Sequence, residues 1–307
     1  MLLFGAAILG GLVLLAIASD QFVDGCSRIA TTLKLSPIVI GAVVIGAGTS
    51  LPELLVSVSA AARDQPDIAM GNVVGSTVAN LLLVLGAAAV FGAVSVPRRT
   101  IRSDGPISMA GVIALAAVLI NGQLSAVEGA LLIVAMIVAF WLIIRLVDDD
   151  EQTPVAEARF SLQRESTRTV LGLVGTLAGA NLMVWGAQGG AEELQLSGGF
   201  IGLTVVALGT SLPELFTSVQ AARKGSTDLI IGNILGSNMF NCLAIAGVVG
   251  LIAPGSIDSN VAVTGAIAML VAGAVVSVMM ITASRVQRWE GLILLAGYAA
   301  VVPVLLI

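Results

Sequence analysis

Not one histidine occurs among the 307 residues, and Asp, Glu, Lys and Arg together make up only 11% of the chain. The first absence removes histidine metal sites, His-based triads and imidazole proton relays. The second removes most soluble folds, in which about a quarter of residues are charged. No basic patch offers nucleic acid a surface. The only two cysteines, Cys26 and Cys242, form no CxxC pattern and read as small apolar packing residues. What remains is 57% hydrophobic with a mean hydropathy of +1.05. The net charge of −5 matters less than where its charges lie.

Apolar runs of about 20 residues, each long enough to cross a bilayer, recur along the chain. The fold class expected is an all-α polytopic membrane protein with ten transmembrane helices. They fall at about 2–19, 37–62, 68–93, 106–122, 125–147, 168–190, 200–222, 229–253, 260–283 and 290–306. Ala16-Ile17-Ala18 resembles a signal-peptide cleavage site, but a basic leader is missing, so the first run reads as a retained span. The longest polar stretch, 148–167, is read as a linker between a first half, 1–147, and a second half, 168–307. With the N-terminus outside, 13 of the 14 Lys and Arg residues fall on the cytoplasmic side and only Arg63 lies outside. Both termini are then external and the linker cytoplasmic, in a multi-pass protein of the cell membrane.

The halves are copies. Residues 41–86 align without a gap onto 202–247 at a constant offset of 161, with 21 of 46 positions identical. "GTSLPEL" at 48–54 recurs at 209–215, and "GNVVGSTVAN" at 71–80 returns as "GNILGSNMFN" at 232–241. Five spans is an odd number, so the second copy enters the membrane in the opposite sense. Inverted repeats of this kind are a mark of secondary transporters, whose sites lie at the repeat interface near mid-membrane.

Two of the 19 acidic residues stand within expected spans rather than in loops or near helix ends. They are Glu53 and Glu214, and they are repeat mates. A carboxylate in a bilayer is costly unless it is paired or faces a wet cavity, and no Lys or Arg in the spans can pair with either. A cation from solution is the missing partner; two protonated glutamates bonded within the protein are the alternative. Thr49 and Ser50 precede Glu53 at helical spacing, and Pro52 withholds an amide hydrogen, which frees carbonyls near Gly46, Gly48 and Thr49. Thr210, Ser211 and Pro213 repeat this before Glu214, with Ala207 in place of Gly46. Asn72, Ser76 and Asn80 form one helical stripe, repeated by Asn233, Ser237 and Asn241. Read alone, these stripes are interhelical hydrogen-bond glue; beside the glutamates, Ser76, Asn80, Ser237 and Asn241 become ligands, and Asn72 and Asn233 supporting residues. Carboxylate, hydroxyl, amide and carbonyl oxygens suit hard cations such as Ca²⁺ and Na⁺. Two carboxylates neutralise one Ca²⁺ or two Na⁺, so each ion excludes the other.

The doubled "GTSLPE" with "GNVVGSTVAN" and "GNILGSNMFN" resembles the paired α-repeats of the cation/Ca²⁺ exchanger superfamily, most nearly its prokaryotic sodium/calcium exchangers. The resemblance spans both halves. It implies ten helices in an inverted five-plus-five repeat and four cation sites between the second, third, seventh and eighth. It implies Glu53 and Glu214 as shared carboxylates, with Ser50, Ser211, Ser76 and Ser237 as hydroxyl ligands. Backbone oxygens would come from Gly46, Thr49, Ala207 and Thr210, with Asn80 and Asn241 lining the centre. It also implies alternating access, the first and sixth helices sliding past a stationary core. One position departs from the pattern: well-studied sodium/calcium members carry aspartate where this chain has Asn241.

The expected function is therefore secondary antiport of Na⁺ against Ca²⁺, without a cofactor and without enzymatic chemistry. The partners are the two ions and the lipid bilayer, not nucleic acid, and a single chain is read as a sufficient unit. A Ca²⁺/H⁺ antiporter using the same glutamates is the alternative, and a passive cation channel a more remote one.

Overall fold

The computed structural model describes residues 2–146, 160–193 and 207–305. The chain is helical almost throughout: α1 (Leu2–Leu33), α2 (Pro37–Thr49), α3 (Leu51–Ala61), α4 (Pro66–Phe91), α5 (Thr100–Leu119), α6 (Ala126–Arg145) and α7 (Leu162–Glu193). They are followed by α8 (Ala207–Thr210), α9 (Leu212–Arg223), α10 (Thr227–Ile252), α11 (Asn260–Ala283) and α12 (Arg288–Leu305). Seven of these are long and apolar enough to cross a membrane, or eight if the bent pair α2–α3 is one span. Of the two other expected spans, α8–α9 begins outside the described residues, and α12 runs to the last of them.

Several expected boundaries shift. The first helix continues beyond residue 19 to Leu33, and α7 begins at Leu162 rather than 168, taking in the end of the expected linker. Both extensions carry polar residues that pair with one another outside the apolar runs, so hydropathy alone stops short of them. The rest of the linker up to residue 159, and the expected span start at 200–206, lie outside the described residues.

Prolines open helices here because a missing N–H costs nothing in a first turn: Pro37 and Pro66 both do so, while Pro106 follows the π-helical turn inside α5. A capping box at Ser125 and Glu128 starts α6. The centre of the protein is α4 and α10. In each, 78% of the most apolar window is buried inside the protein, against 28–33% for the other long spans. Each is enclosed by neighbours rather than facing lipid on one face, and each turns its Asn–Ser–Asn stripe inward.

Small residues permit the closest crossings. A Cβ added to Gly41 in α2 would stand 2.9 Å from the Gly232 Cα of α10, and one on Gly46 would stand 2.8 Å from the Ser237 nitrogen. Helices α1 and α7 run antiparallel along most of their length on the same principle, Gly11 meeting Met183 and Gly172 meeting Phe22. The offset of 161 carries one of these contacts onto the other. Gly25 against Thr169 and Gly186 against Ile8 form a second such pair.

Two short ribbons join the halves. Strand β1 (Val94–Ser95) pairs antiparallel with β4 (Arg285–Val286), and β2 (Gln123–Leu124) with β3 (Gly255–Ser256). The offset carries β1 onto β3, so the two ribbons are themselves a repeat pair. The π-helical turns recur likewise: Asn80–Val84 with Phe240–Ile245, and Thr100–Asp104 with Asn260–Thr264.

One buried ion pair lies away from the glutamates. Arg99 Nε stands 3.3 Å from Asp104 Oδ2, and Arg99 Nη2 donates to the Ile143 carbonyl at 2.6 Å, tying the start of α5 to the end of α6.

Close helix contact sets a test of packing. Gly172→Val would drive a side chain into the α1 backbone, where even a Cβ would lie 2.6 Å from the Phe22 nitrogen. Thermal unfolding in detergent should show a loss of about 1–3 kcal/mol or more. Gly297→Ala, where the added Cβ meets nothing within 4 Å, should stay within about 1 kcal/mol of the parent.

Candidate cation-binding site

The opening of "GTSLPEL" is a helix break. At Ser50 the chain leaves helical geometry (φ −82°, ψ 11°), and α3 departs from α2 at 44°. At Ser211 the break recurs with φ −86° and ψ 4°. Helix restarts at once: the Leu54 amide donates to the Ser50 carbonyl at 3.1 Å, and the Leu215 amide to the Ser211 carbonyl at 3.0 Å. Pro52 and Pro213 thus occupy first turns, where their missing N–H costs no hydrogen bond. Glu53 and Glu214 stand in those same first turns. The positive end of the helix dipole there partly offsets the cost of an enclosed carboxylate.

Both glutamates are 1% exposed, and Thr49, Ser50, Ser76, Asn80, Thr210, Ser211, Ser237 and Asn241 are buried as well. Gly46 closes the π-helical turn of α2, and Ala207 is the first described residue of α8. The two copies meet: the Ser50 hydroxyl donates to Glu214 Oε1 at 3.0 Å, across a sequence separation of 164 residues. The Thr49 and Ser237 hydroxyls converge on Asn233 Oδ1 at 3.4 Å, though the Thr49 proton has a nearer acceptor in the Ile45 carbonyl at 2.9 Å. Ser237 also donates to the Gly46 carbonyl at 3.2 Å, which takes the Ser50 amide at 3.2 Å too. The break therefore does not leave the Gly46 oxygen bare; a hydroxyl from the other half and its own helix share it.

Asn72 and Asn233 hold the glutamate-bearing helices. Asn72 Nδ2 donates to the Glu53 carbonyl at 3.1 Å and to Ser57 Oγ at 3.0 Å. Asn233 Nδ2 donates to the Glu214 carbonyl at 3.5 Å and to Ser218 Oγ at 2.9 Å. Asn233 touches more than its mate, because its oxygen also lies 3.4 Å from the Thr49 and Ser237 hydroxyls. The single protons of those hydroxyls have nearer acceptors in the Ile45 carbonyl at 2.9 Å and the Gly46 carbonyl at 3.2 Å, and each hydroxyl oxygen keeps lone pairs of its own.

Glu53 Oε2, Glu214 Oε2, Ser211 Oγ and both polar atoms of Asn80 and Asn241 are buried without a hydrogen-bond partner in the structure. Buried polar atoms in proteins are almost always paired, since leaving one unpaired costs about 1–3 kcal/mol. Seven at repeat-related positions, two of them carboxylate oxygens, form a polar interior that suits a cation. Among the described residues no three His, Cys, Asp or Glu side chains cluster as in a conventional metal centre. A cation here would rest on hydroxyl and amide oxygens as much as on charge, the donor set of a hard ion.

Two features escaped the motifs. Asn80 and Asn241 both sit in π-helical turns, which widen a helix and frequently mark functional positions. Asn238 is buried with its Oδ1 unpartnered, beside Ser237. Its repeat mate is Thr77, and that unlike pair was the available signal.

A polytopic helical protein with two enclosed carboxylates among unpaired oxygens, shared by two copies of one motif, is built as a transporter of the membrane. The family described as "Sodium/calcium exchanger protein" matches residues 3–145 and 168–307, and the chain belongs to that family. It is a multi-pass membrane antiporter. CaxA of Alkalimonas amylolytica is 37% identical over 95% of each chain. The sodium/calcium exchanger MaX1 of Methanosarcina acetivorans is 30% identical over 97% of each. A solved structure of the sodium-calcium exchanger NCX_Mj superposes with a TM-score of 0.88 at 31% identity, covering 99% of this chain and 98% of that one.

The supporting asparagines differ in what they satisfy, which makes them separable. Asn233→Leu removes the donor to Ser218 and to the Glu214 carbonyl together with the longer contacts to Thr49 and Ser237, and should cost about 1–3 kcal/mol in thermal unfolding, at least as much as Asn72→Leu.

Proposed function

We propose that this antiporter exchanges Na⁺ for Ca²⁺ by alternating access, an inward Na⁺ gradient driving Ca²⁺ out. The observation that carries the reading is the set of seven buried, unpartnered polar atoms on Glu53, Glu214, Ser211, Asn80 and Asn241. Two carboxylates match the charge of one Ca²⁺ or two Na⁺, and the hydroxyls and amides supply the further oxygens such ions need. Ser50, Ser76, Ser237, Thr49 and Thr210, with the backbone oxygens of Gly46 and Ala207, complete the proposed ligand set, the Gly46 oxygen joining once Ser237 turns its proton elsewhere. Ions that compete for one neutralising pair are coupled without any further device.

The architecture proposed is ten spans in two inverted repeats of five, with both termini outside and residues 148–167 cytoplasmic. The strand ribbons support it. In that topology β1 and β4 share the cytoplasmic side and β2 and β3 the external side, and these are the pairs that form. The distribution of Lys and Arg supports the orientation, and a cell-membrane location agrees with a relative named inner membrane protein in Escherichia coli. Sliding of α1 and α7 as a unit past α4 and α10 is consistent with the continuous contact between the two long helices.

Uptake of Ca²⁺ into proteoliposomes under an imposed Na⁺ gradient should be fast and should cease when Na⁺ is replaced by choline. Uptake driven by a pH gradient with no sodium present would establish Ca²⁺/H⁺ antiport instead, and passive flux with no counter-ion would establish a channel. Glu53→Gln and Glu214→Gln should insert normally and lose exchange; near-normal transport by both would mean that the ions bind elsewhere.

A further inference from the structure

At one end of the bundle, α9 is tied to α1 by a polar seam unlike the rest of their contact. The Lys224 ammonium reaches Asp20 Oδ1 at 2.7 Å, Asp24 Oδ1 at 2.6 Å and the Asp20 backbone carbonyl at 2.8 Å. Three acceptors use all three of its donors. One turn earlier on α9, Gln220 Nε2 donates to the Ala16 carbonyl at 3.0 Å, so Ala16, Asp20 and Asp24 form one stripe of α1. The charges behind the stripe come from α1 and α7: Arg168 stands 2.8 Å from Asp24 and 3.6 Å from Glu165, and Arg28 stands 3.3 Å from Glu165. The Arg168–Asp24 and Arg28–Glu165 pairs bind α1 to α7. Lys224 binds that pair of helices to α9, which carries Glu214.

The other copy lacks this seam. The offset of 161, which maps the α1–α7 glycine contacts onto one another, maps Lys224 onto Arg63, Asp20 onto Asn181 and Asp24 onto Trp185. Neither Asn181 nor Trp185 carries charge. Asn181 donates to the Leu177 carbonyl of its own helix at 2.9 Å, and the Trp185 ring meets Phe4 edge-on at 5.5 Å. Arg63 is exposed and makes no ion pair among the described residues. While α1 packs closely on α9, the mates α7 and α3 meet at most marginally.

We propose that Lys224 with Asp20 and Asp24 is a one-sided ionic latch that biases the antiporter toward the state closed at the Lys224 end. The proposal rests on the alternating-access reading above. In an inverted repeat the two states exchange the conformations of the two halves. Opening the Lys224 end therefore breaks the latch and brings α7 against α3, where Arg63 meets an amide and an indole in place of two carboxylates. A contact made in one state only shifts the balance by its full strength. For a half-exposed charge network that shift is about 1.4-fold to fivefold.

Hydrogen–deuterium exchange on the full chain in lipid nanodiscs reads this directly, without an ion gradient, so its outcome is separate from whether Na⁺ or H⁺ is the counter-ion. In Lys224→Gln and in Asp20→Asn with Asp24→Asn, amides at 14–24 and 216–224 should exchange faster. Those at 55–63 and 177–185 should exchange more slowly, and Lys224→Arg should match the parent. Asn181→Asp, which would give Arg63 a carboxylate in the opposite state, should shift both regions the same way as Lys224→Gln, and adding Arg63→Gln should cancel that shift. Unchanged exchange would overturn the latch. A faster Lys224 end without slowing at the Arg63 end would overturn it too, since it would show a local clip that biases no state.

Discussion

Two carboxylates held inside an apolar bundle are the constraint on which the rest of this structure depends. Glu53 and Glu214 are tolerable only if their surroundings supply what water would. The chain answers with a helix break one turn before each, so that each carboxylate stands in a first turn at the positive end of a helix dipole. Ser50 reaches Glu214 across the repeat boundary, and Asn72 and Asn233 grip the backbone of each glutamate. The remaining unpaired oxygens are then not a defect of packing. In the proposed function they are the part of the arrangement that an ion would complete.

Such a site demands close backbone approach, and glycine supplies it. Gly41, Gly46 and Gly232 let α2 cross α10 nearly backbone to backbone, which brings Ser237 onto the Gly46 carbonyl and Asn233 within reach of Thr49. A different set, Gly11, Gly25, Gly172 and Gly186, joins α1 to α7 in an antiparallel pair. The central helices thus build the site, while the long outer pair is internally cohesive. Its main polar tie to a glutamate-bearing helix is at Lys224. The duplication repeats both glutamates and both Asn–Ser–Asn stripes, but it does not repeat the Lys224 tie.

Much of this was legible beforehand because the duplication printed the same chemistry twice. The copied "GTSLPEL" and the Asn–Ser–Asn stripes marked Glu53, Glu214, Ser76, Ser237, Asn80 and Asn241, and every one of these is buried in the structure. The expected supporting role of Asn72 is matched by its bonds to Glu53 and Ser57. The π-helical turns at Asn80 and Asn241 were not legible, since one residue of extra backbone leaves no mark in composition or period. Nor was the extension of α1 and α7 beyond their apolar runs, because charged residues there pair with each other across the bundle.

By itself, the sequence determined that this chain is a polytopic membrane protein of the sodium/calcium exchanger family, and that two repeat-related glutamates stand apart from all its other acids. Hydropathy, the offset of 161 and the doubled motif are local or one-dimensional properties, and a string of residues carries them whole. Only the tertiary structure decided which oxygens meet. Thr49 with Asn233, Ser237 with Gly46, Ser50 with Glu214 and Lys224 with Asp20 are each separated by more than 160 residues. Their distances depend on how closely helices cross, and that is fixed by the joint packing of glycines on both partners rather than by either segment alone.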